Sequence, residues 1–268
     1  MTLKKSDKRF YFSRLKRQVS RLGSGTILLL ILGTPSLANS SVSQATRYSG
    51  TSLSSAVKSR AYEPPPGSQI SGSGTQGGTR GCGGEMIAIA PQFSGTGQSF
   101  SSRPTFVWYM NPEPVGTLEF YLSSQADGES TLIVSEEVET QAGYIAYTLP
   151  DGEDLTVGET YTWQAILYCD DDKTMPGKWI SADITIADPP ADAVQAVSGD
   201  DLTLQDAIAY AAAGYWYDAL AIVYNADSLE EEQFRQDMLL DLADLEAESD
   251  NIVAARRSDR LRNLAETP

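Results

Sequence analysis

The stretch Gly158-Glu159-Thr160-Tyr161-Thr162-Trp163-Gln164-Ala165-Ile166-Leu167-Tyr168-Cys169 decides how the chain is read. From Tyr161 onward, Tyr161, Trp163, Ala165, Leu167 and Cys169 alternate with Thr162, Gln164, Ile166 and Tyr168. A period of two places alternate side chains on one face of a strand, so this pattern predicts a half-buried, central β-strand with an indole in the core. Pro150-Asp151-Gly152-Glu153-Asp154 supplies the turn chemistry that limits where it begins.

Working outward, strands are expected at Met86–Ala90, Thr105–Tyr109, Thr117–Leu122, Ser130–Ser135, Gly143–Leu149 and Trp179–Ile186. Short strands with turns at regular intervals predict an antiparallel β-sandwich of immunoglobulin- or fibronectin III-like size. Phe106, Trp108, Phe120, Tyr161, Trp163 and Trp179 are its expected core. The same aromatics suggest an alternative use, a carbohydrate- or cell-wall-binding face.

Beyond Asp188-Pro189-Pro190 the periodicity changes to helical. Thr203 with Asp206 caps a helix that ends at Gly214, Tyr215–Tyr224 forms a second, and Ser228 with Glu231 makes a capping box for a third. A weaker fourth helix is expected after Ser249, with Arg256, Arg257, Arg260 and Arg262 exposed. The fold class is therefore α+β, with an N-terminal antiparallel sandwich over residues 82–187, a linker at 188–199, and a small helical domain at 200–265.

The chain begins with basic residues, Lys4 through Arg21, followed by the apolar run Ile27–Leu32 and the small residues of Ser36-Leu37-Ala38. This is the order of a secretory signal over residues 1–38, and the apolar run is shorter than the roughly 20 residues that span a bilayer. The expectation is an exported protein, periplasmic or extracellular, without stable membrane insertion after cleavage. Residues 39–81, rich in Ser, Gly and Pro, read as a disordered spacer.

The formal net charge is −16, which disfavours nucleic acid as a partner. The chain contains no histidine, so the commonest transition-metal ligand and the usual general base are both missing. Cys82 and Cys169 are the two cysteines, an even number that in an oxidising compartment invites a disulfide; two buried free thiols are the alternative. In the chain-entropy view such a bridge stabilises by about 4.5 kcal/mol before strain. The acidic turns Asp151-Gly152-Glu153-Asp154 and Asp170-Asp171-Asp172 lack EF-hand spacing, and no paired carboxylates mark a sugar cleft. No catalytic residue, metal site or cofactor is expected.

An ordered set of motifs remains: Thr79-Arg80-Gly81-Cys82, Arg103-Pro104-Thr105-Phe106-Val107-Trp108-Tyr109, Leu155-x-x-Gly158-x-x-Tyr161-x-Trp163, Cys169-Asp170, Gly177-Lys178-Trp179-Ile180 and Gly214-Tyr215-Trp216-Tyr217-Asp218-Ala219-Leu220. Together they resemble the cyanobacterial family known as domain of unknown function 928, over residues 79–245. The resemblance implies an exported cyanobacterial protein, brings no activity, and supports pairing of Cys82 with Cys169. Ala207, Tyr210, Gly214, Trp216, Ala219 and Ala226 also match the spacing of one tetratricopeptide repeat, without its closing proline. The function expected is a non-enzymatic interaction or adaptor protein of the cell envelope. Tyr210, Tyr215, Trp216, Tyr217 and Asp218 are the expected surface for a protein partner.

Overall fold

Two β-sheets face one another across an aromatic core, and four helices follow them. The structure, a computed structural model, describes residues 60–68, 76–78, 84–111, 115–126, 129–170, 172–174, 176–189 and 202–267. The signal expected at 1–38 and the linker residues 190–199 lie outside them. All described residues belong to one unit, Ala56–Pro268.

The strands are β1 (Gln76–Gly78), β2 (Glu85–Ala88), β3 (Gly97–Ser99), β4 (Thr105–Asn111), β5 (Thr117–Ala126), β6 (Glu129–Val138), β7 (Gly143–Thr148), β8 (Thr160–Tyr168) and β9 (Pro176–Ile186). One sheet has the order β1-β9-β8-β5-β6, with β3 also pairing β9; the other is β2-β4-β7. The β3–β9 pair is parallel, which makes the larger sheet mixed. β1 and β3 are too short to show a periodicity in the sequence.

Strand β8 lies between β9 and β5, and Tyr161, Trp163, Ala165 and Leu167 are buried as the alternation requires. Cys169 falls past the end of the strand and is exposed, so the inward series has four members rather than five. Phe106, Trp108, Phe120 and Trp163 are fully buried, with Phe106 5.0 Å from Phe120 and 5.7 Å from Trp163 between ring centres. Trp179 is the exception among the expected core aromatics. It sits on the opposite face of β9 from Ile180, Ala182 and Ile184, and is half-buried.

The helices are α1 (Leu204–Ala212), α2 (Trp216–Val223), α3 (Leu229–Ala247) and α4 (Ile252–Ala265). The expected cap at Thr203 and the expected capping box at Ser228 are both present, and Thr203 with Asp206 also closes a full capping box. Gly214 ends α1 at φ +91°, with Tyr215 N–H donating to Tyr210 O and Gly214 N–H to Ala211 O, the paired bonds of a Schellman motif.

The linker expected at 188–199 does not separate the packing. Side chains of both sheets and of all four helices contribute to a single hydrophobic core. The helices also cover the edge strand β2, whose end would otherwise present unpaired carbonyls. Trp216 Nε1–H donates to Ile89 O at 2.9 Å, and the Arg257 guanidinium donates to Ala88 O at 2.8 Å and Ala90 O at 2.6 Å. Arg257 forms an ion pair at 2.7 Å with Glu246, which also accepts from Gln92 N–H. This overturns the expectation that Arg257 is exposed: it is 2% accessible, while Arg256 is exposed as read.

Part of the expected disordered spacer is also built into the fold. Arg60 pairs with Glu248 at 2.9 Å, the Asp241 carboxylate accepts from the N–H groups of Ala61 and Tyr62, and Glu63 N–H donates to Ala211 O. Tyr62 is wholly buried with its ring edge-on to Trp216, 4.8 Å between centres. Pro65 passes so close to Gly214 that a Cβ there would lie 2.8 Å from it. A composition rich in Ser, Gly and Pro hides this, because one tyrosine and a carboxylate clamp suffice to hold an irregular segment.

Candidate functional site

A cleft of about 370 Å³ opens where the loop after β3 meets α1 and α2. Phe100, Ser101, Arg103 and Thr105 line it from the sandwich side, and Leu202, Tyr210, Tyr217, Asp218 and Ala221 from the helical side. Each wall has a local cause. α2 starts directly after the Gly214 turn, so its first residues are thrown against the loop, and Asp218 in its first turn reaches back to accept from Ser99 Oγ and Phe100 N–H, both at 3.1 Å. Phe100 in turn sits edge-on to Tyr210 and Tyr215, with ring centres 4.9 and 5.2 Å away. Arg103 is held by Asp151 and Asp154 across the loop, which is where the acidic turn before β8 is used.

The five residues expected to form a partner surface are brought together here, but most of them face inward. Trp216 and Tyr217 are fully buried and Tyr210 is 3% accessible. Tyr217 reaches into the sandwich core, where its hydroxyl accepts from Trp163 Nε1–H at 2.8 Å and donates to Asp183 O at 3.1 Å. Trp216 and Tyr217 therefore bind the protein's own sheets, which corrects the expected surface. A single helical hairpin beside a sheet has an apolar side that only the sheet can cover. Tyr215 is half-buried and its hydroxyl donates to Asp188 O. No periodic signal in the sequence marks Ser99, the last residue of the three-residue β3, or Phe100, which opens a Ser-rich loop.

The chemistry left in the cleft is limited and specific. The Tyr210 hydroxyl is buried and has no hydrogen-bond partner among the described residues. Burial pushes the Asp218 carboxyl up to about 7, against the hydrogen bonds from Phe100 and Ser99 that favour its charged form. Burial likewise raises the Tyr210 phenol, with the charges of Asp206 and Asp218 adding to it. The cleft thus offers an apolar wall, in which the Tyr210 ring takes part with its hydroxyl buried behind it, and a carboxyl that changes charge near neutrality.

The raised Asp218 pKa carries a pH signature. The folded protein holds this proton more tightly than the unfolded chain, whose carboxyl titrates near about 4, so the group's contribution to stability is present below that value and is lost as the pH rises to about 7. Asp218→Asn removes the titration. Its stability relative to the wild type is expected to rise by a few kcal/mol in all between about pH 4 and 7 and to stay level above, as read by urea unfolding at a series of pH values. A difference that is flat across that window would show that Asp218 titrates like an exposed carboxyl.

Among the described residues no group of three or more Cys, Asp or Glu is placed to hold a metal ion, and no helix is long and apolar enough to cross a membrane. The Asp170 carboxylate accepts from Thr174 N–H, which closes its own turn. Cys169 does not carry a free thiol; Cys82 lies outside the described residues.

Two sheets packed as a sandwich, one of them mixed, followed by four helices with a cleft at the seam, define an α+β protein. The chain belongs to the family described as Domain of Unknown Function (DUF928), whose model matches residues 72–253. No curated protein matches the chain. Among solved structures, it is similar to one from an analysis of a lytic polysaccharide monooxygenase important for efficient utilization of chitin in Cellvibrio japonicus. That likeness is 13% identical, covers 34% of this chain and 55% of that one, has a TM-score of 0.25, and carries no argument.

Proposed function

We propose that this is an exported, non-enzymatic interaction protein of a cyanobacterial cell envelope, and that its protein partner is anchored in the cleft beside Tyr210 and Asp218. The observation that carries the reading is the cleft itself. An apolar wall continues outward into Leu202, 53% accessible, and carries the Asp218 carboxyl. A partner that fills such a site gains apolar burial around one polar group that fixes its orientation. In this reading the sandwich is immunoglobulin-like and stapled by Cys82 and Cys169, and α1 with α2 forms one tetratricopeptide-like hairpin. The carbohydrate reading loses its main support, since Phe106, Trp108, Phe120 and Trp163 are fully buried.

The test is site-specific photo-crosslinking in cells from Leu202, with Val157 as a second exposed position remote in sequence. The expected result is a discrete protein adduct at Leu202, absent at Val157, and abolished when Ala221→Leu fills the cleft. Adducts that form equally at both positions, or that survive the filled cleft, would dismiss this site as the anchor. Failure to form any protein adduct, together with retention of the chain on peptidoglycan, would instead favour the cell-wall reading.

A further inference from the structure

The outer face of α1 and α3 holds a second feature, separate from the cleft. Along α3, Phe234, Asp237 and Asp241 follow one another at helical spacing, and on α1 Leu204, Ile208 and Ala211 do the same, so each series marks one face. Toward the end of this face the furrow between the helices is already occupied. The chain's own residues 60–63 cross it as irregular, non-helical chain with a bend at Ala61, two backbone N–H groups on Asp241 and a third on Ala211 O. The furrow therefore reads non-helical backbone, with a carboxylate on α3 and a carbonyl near the end of α1 as acceptors.

Toward the start of the same helices the furrow is open. It encloses about 360 Å³ between Leu204, Ile208, Leu229 and Phe234. Leu229 is 80% accessible and Ile208 37%, an unusual placement of large apolar groups side by side at the surface. The polar residues that line it are Glu230, Gln233 and Asp237, with no basic side chain among the lining residues. Glu230 begins the acidic run Glu230-Glu231-Glu232 in the first turn of α3.

We propose that this open half is a docking furrow for a non-helical segment of a partner protein in which an apolar anchor is flanked by lysine or arginine. The anchor occupies the space between Ile208 and Phe234, and the basic side chains face the acidic rim that begins at Glu230. The occupied half supports a non-helical occupant, because the neighbouring stretch of the same furrow already holds one. The acidic rim sets the sign of its charge.

The full chain is titrated with a fluorescent peptide containing Leu-Phe between pairs of lysines, and with a counterpart in which the lysines are glutamates, each followed by anisotropy. The expected result is saturable binding of the basic peptide only, weakened about tenfold or more by Glu230→Lys and also by Leu229→Ser, and unchanged by Ala221→Leu, which fills the other cleft. Both substituted side chains are exposed, so folding is checked independently by the thermal transition. Binding that ignores Leu229→Ser and disappears with salt alone would be general attraction to an acidic protein and would overturn the proposal. Elution of the wild-type chain as a dimer that Leu229→Ser converts to a monomer would also overturn it, by assigning the furrow to a second copy.

Discussion

Arg257→Met is expected to destabilise the protein by about 3–5 kcal/mol, the largest effect of any single charge replacement in the fold. Arg257 and Glu246 are 2% and 0% accessible, so both charges have given up their hydration. They recover it from one another at 2.7 Å, from the Gln92 N–H on Glu246, and from the carbonyls of Ala88 and Ala90 on Arg257. Methionine matches the length of the arginine stem but leaves a buried carboxylate with only the backbone N–H groups of Gln92 and Phe93, and two carbonyls at the end of β2 without their donor. Burial already raises the Glu246 pKa, and without the guanidinium it rises further. A raised carboxyl pKa favours the folded state at low pH, so the deficit of Arg257→Met is expected to shrink as the pH falls below neutrality. The double variant Arg257→Met, Glu246→Leu removes the stranded charge and is expected to recover a large part of the loss. Urea unfolding of the three variants at two pH values reads all of this, and a single-variant loss below about 1 kcal/mol would mean that water reaches the pair.

Trp216→Ala should lower stability by about 3–5 kcal/mol as well, for a different reason. The indole is fully buried where three parts of the chain meet: it packs on Tyr62 from the N-terminal segment and donates to Ile89 O at the end of β2. Its removal leaves a cavity, an unpaired carbonyl and a tyrosine with no facing ring. The expected drop in the thermal midpoint is roughly 6–20 °C for a unit of this size. Because the loss is shared with the 60–66 segment, cleavage at Arg60 by trypsin should speed up more than cleavage at Arg262, whose guanidinium is paired with Asp244 on α3. Equal acceleration at both sites would indicate that the segment is not held through Trp216.

The chain's local chemistry was sufficient for the parts governed by neighbours in sequence. Alternation at Tyr161–Leu167 and in the other strands is a local signal, because a pleated strand sends successive side chains to opposite faces. The capping boxes at Thr203 and Ser228 are equally local, each a contact between residues three apart. The absence of histidine is legible without any fold.

Charge and aromaticity at single positions were not legible in the same way. Arg257 looks like any arginine on a polar helix until Glu246, eleven positions before it, turns out to face it across the α3–α4 turn. Trp216, Tyr217 and Tyr210 suggested a partner surface because a cluster of aromatics is what an interface and a core have in common. Only the placement of the end of β2, β8 and β9 beside α2 decides that the Trp216 and Tyr217 rings serve the core. The segment at 60–66 was hidden because its order comes from Asp241 and Trp216, far along the chain, and not from its own composition. By itself, then, the sequence determined the strands other than the short β1 and β3, the helices, their caps and the chemistry the chain lacks. The tertiary structure decided which polar and aromatic groups are spent inside and which face the cleft, since burial depends on what long-range packing brings to each side chain.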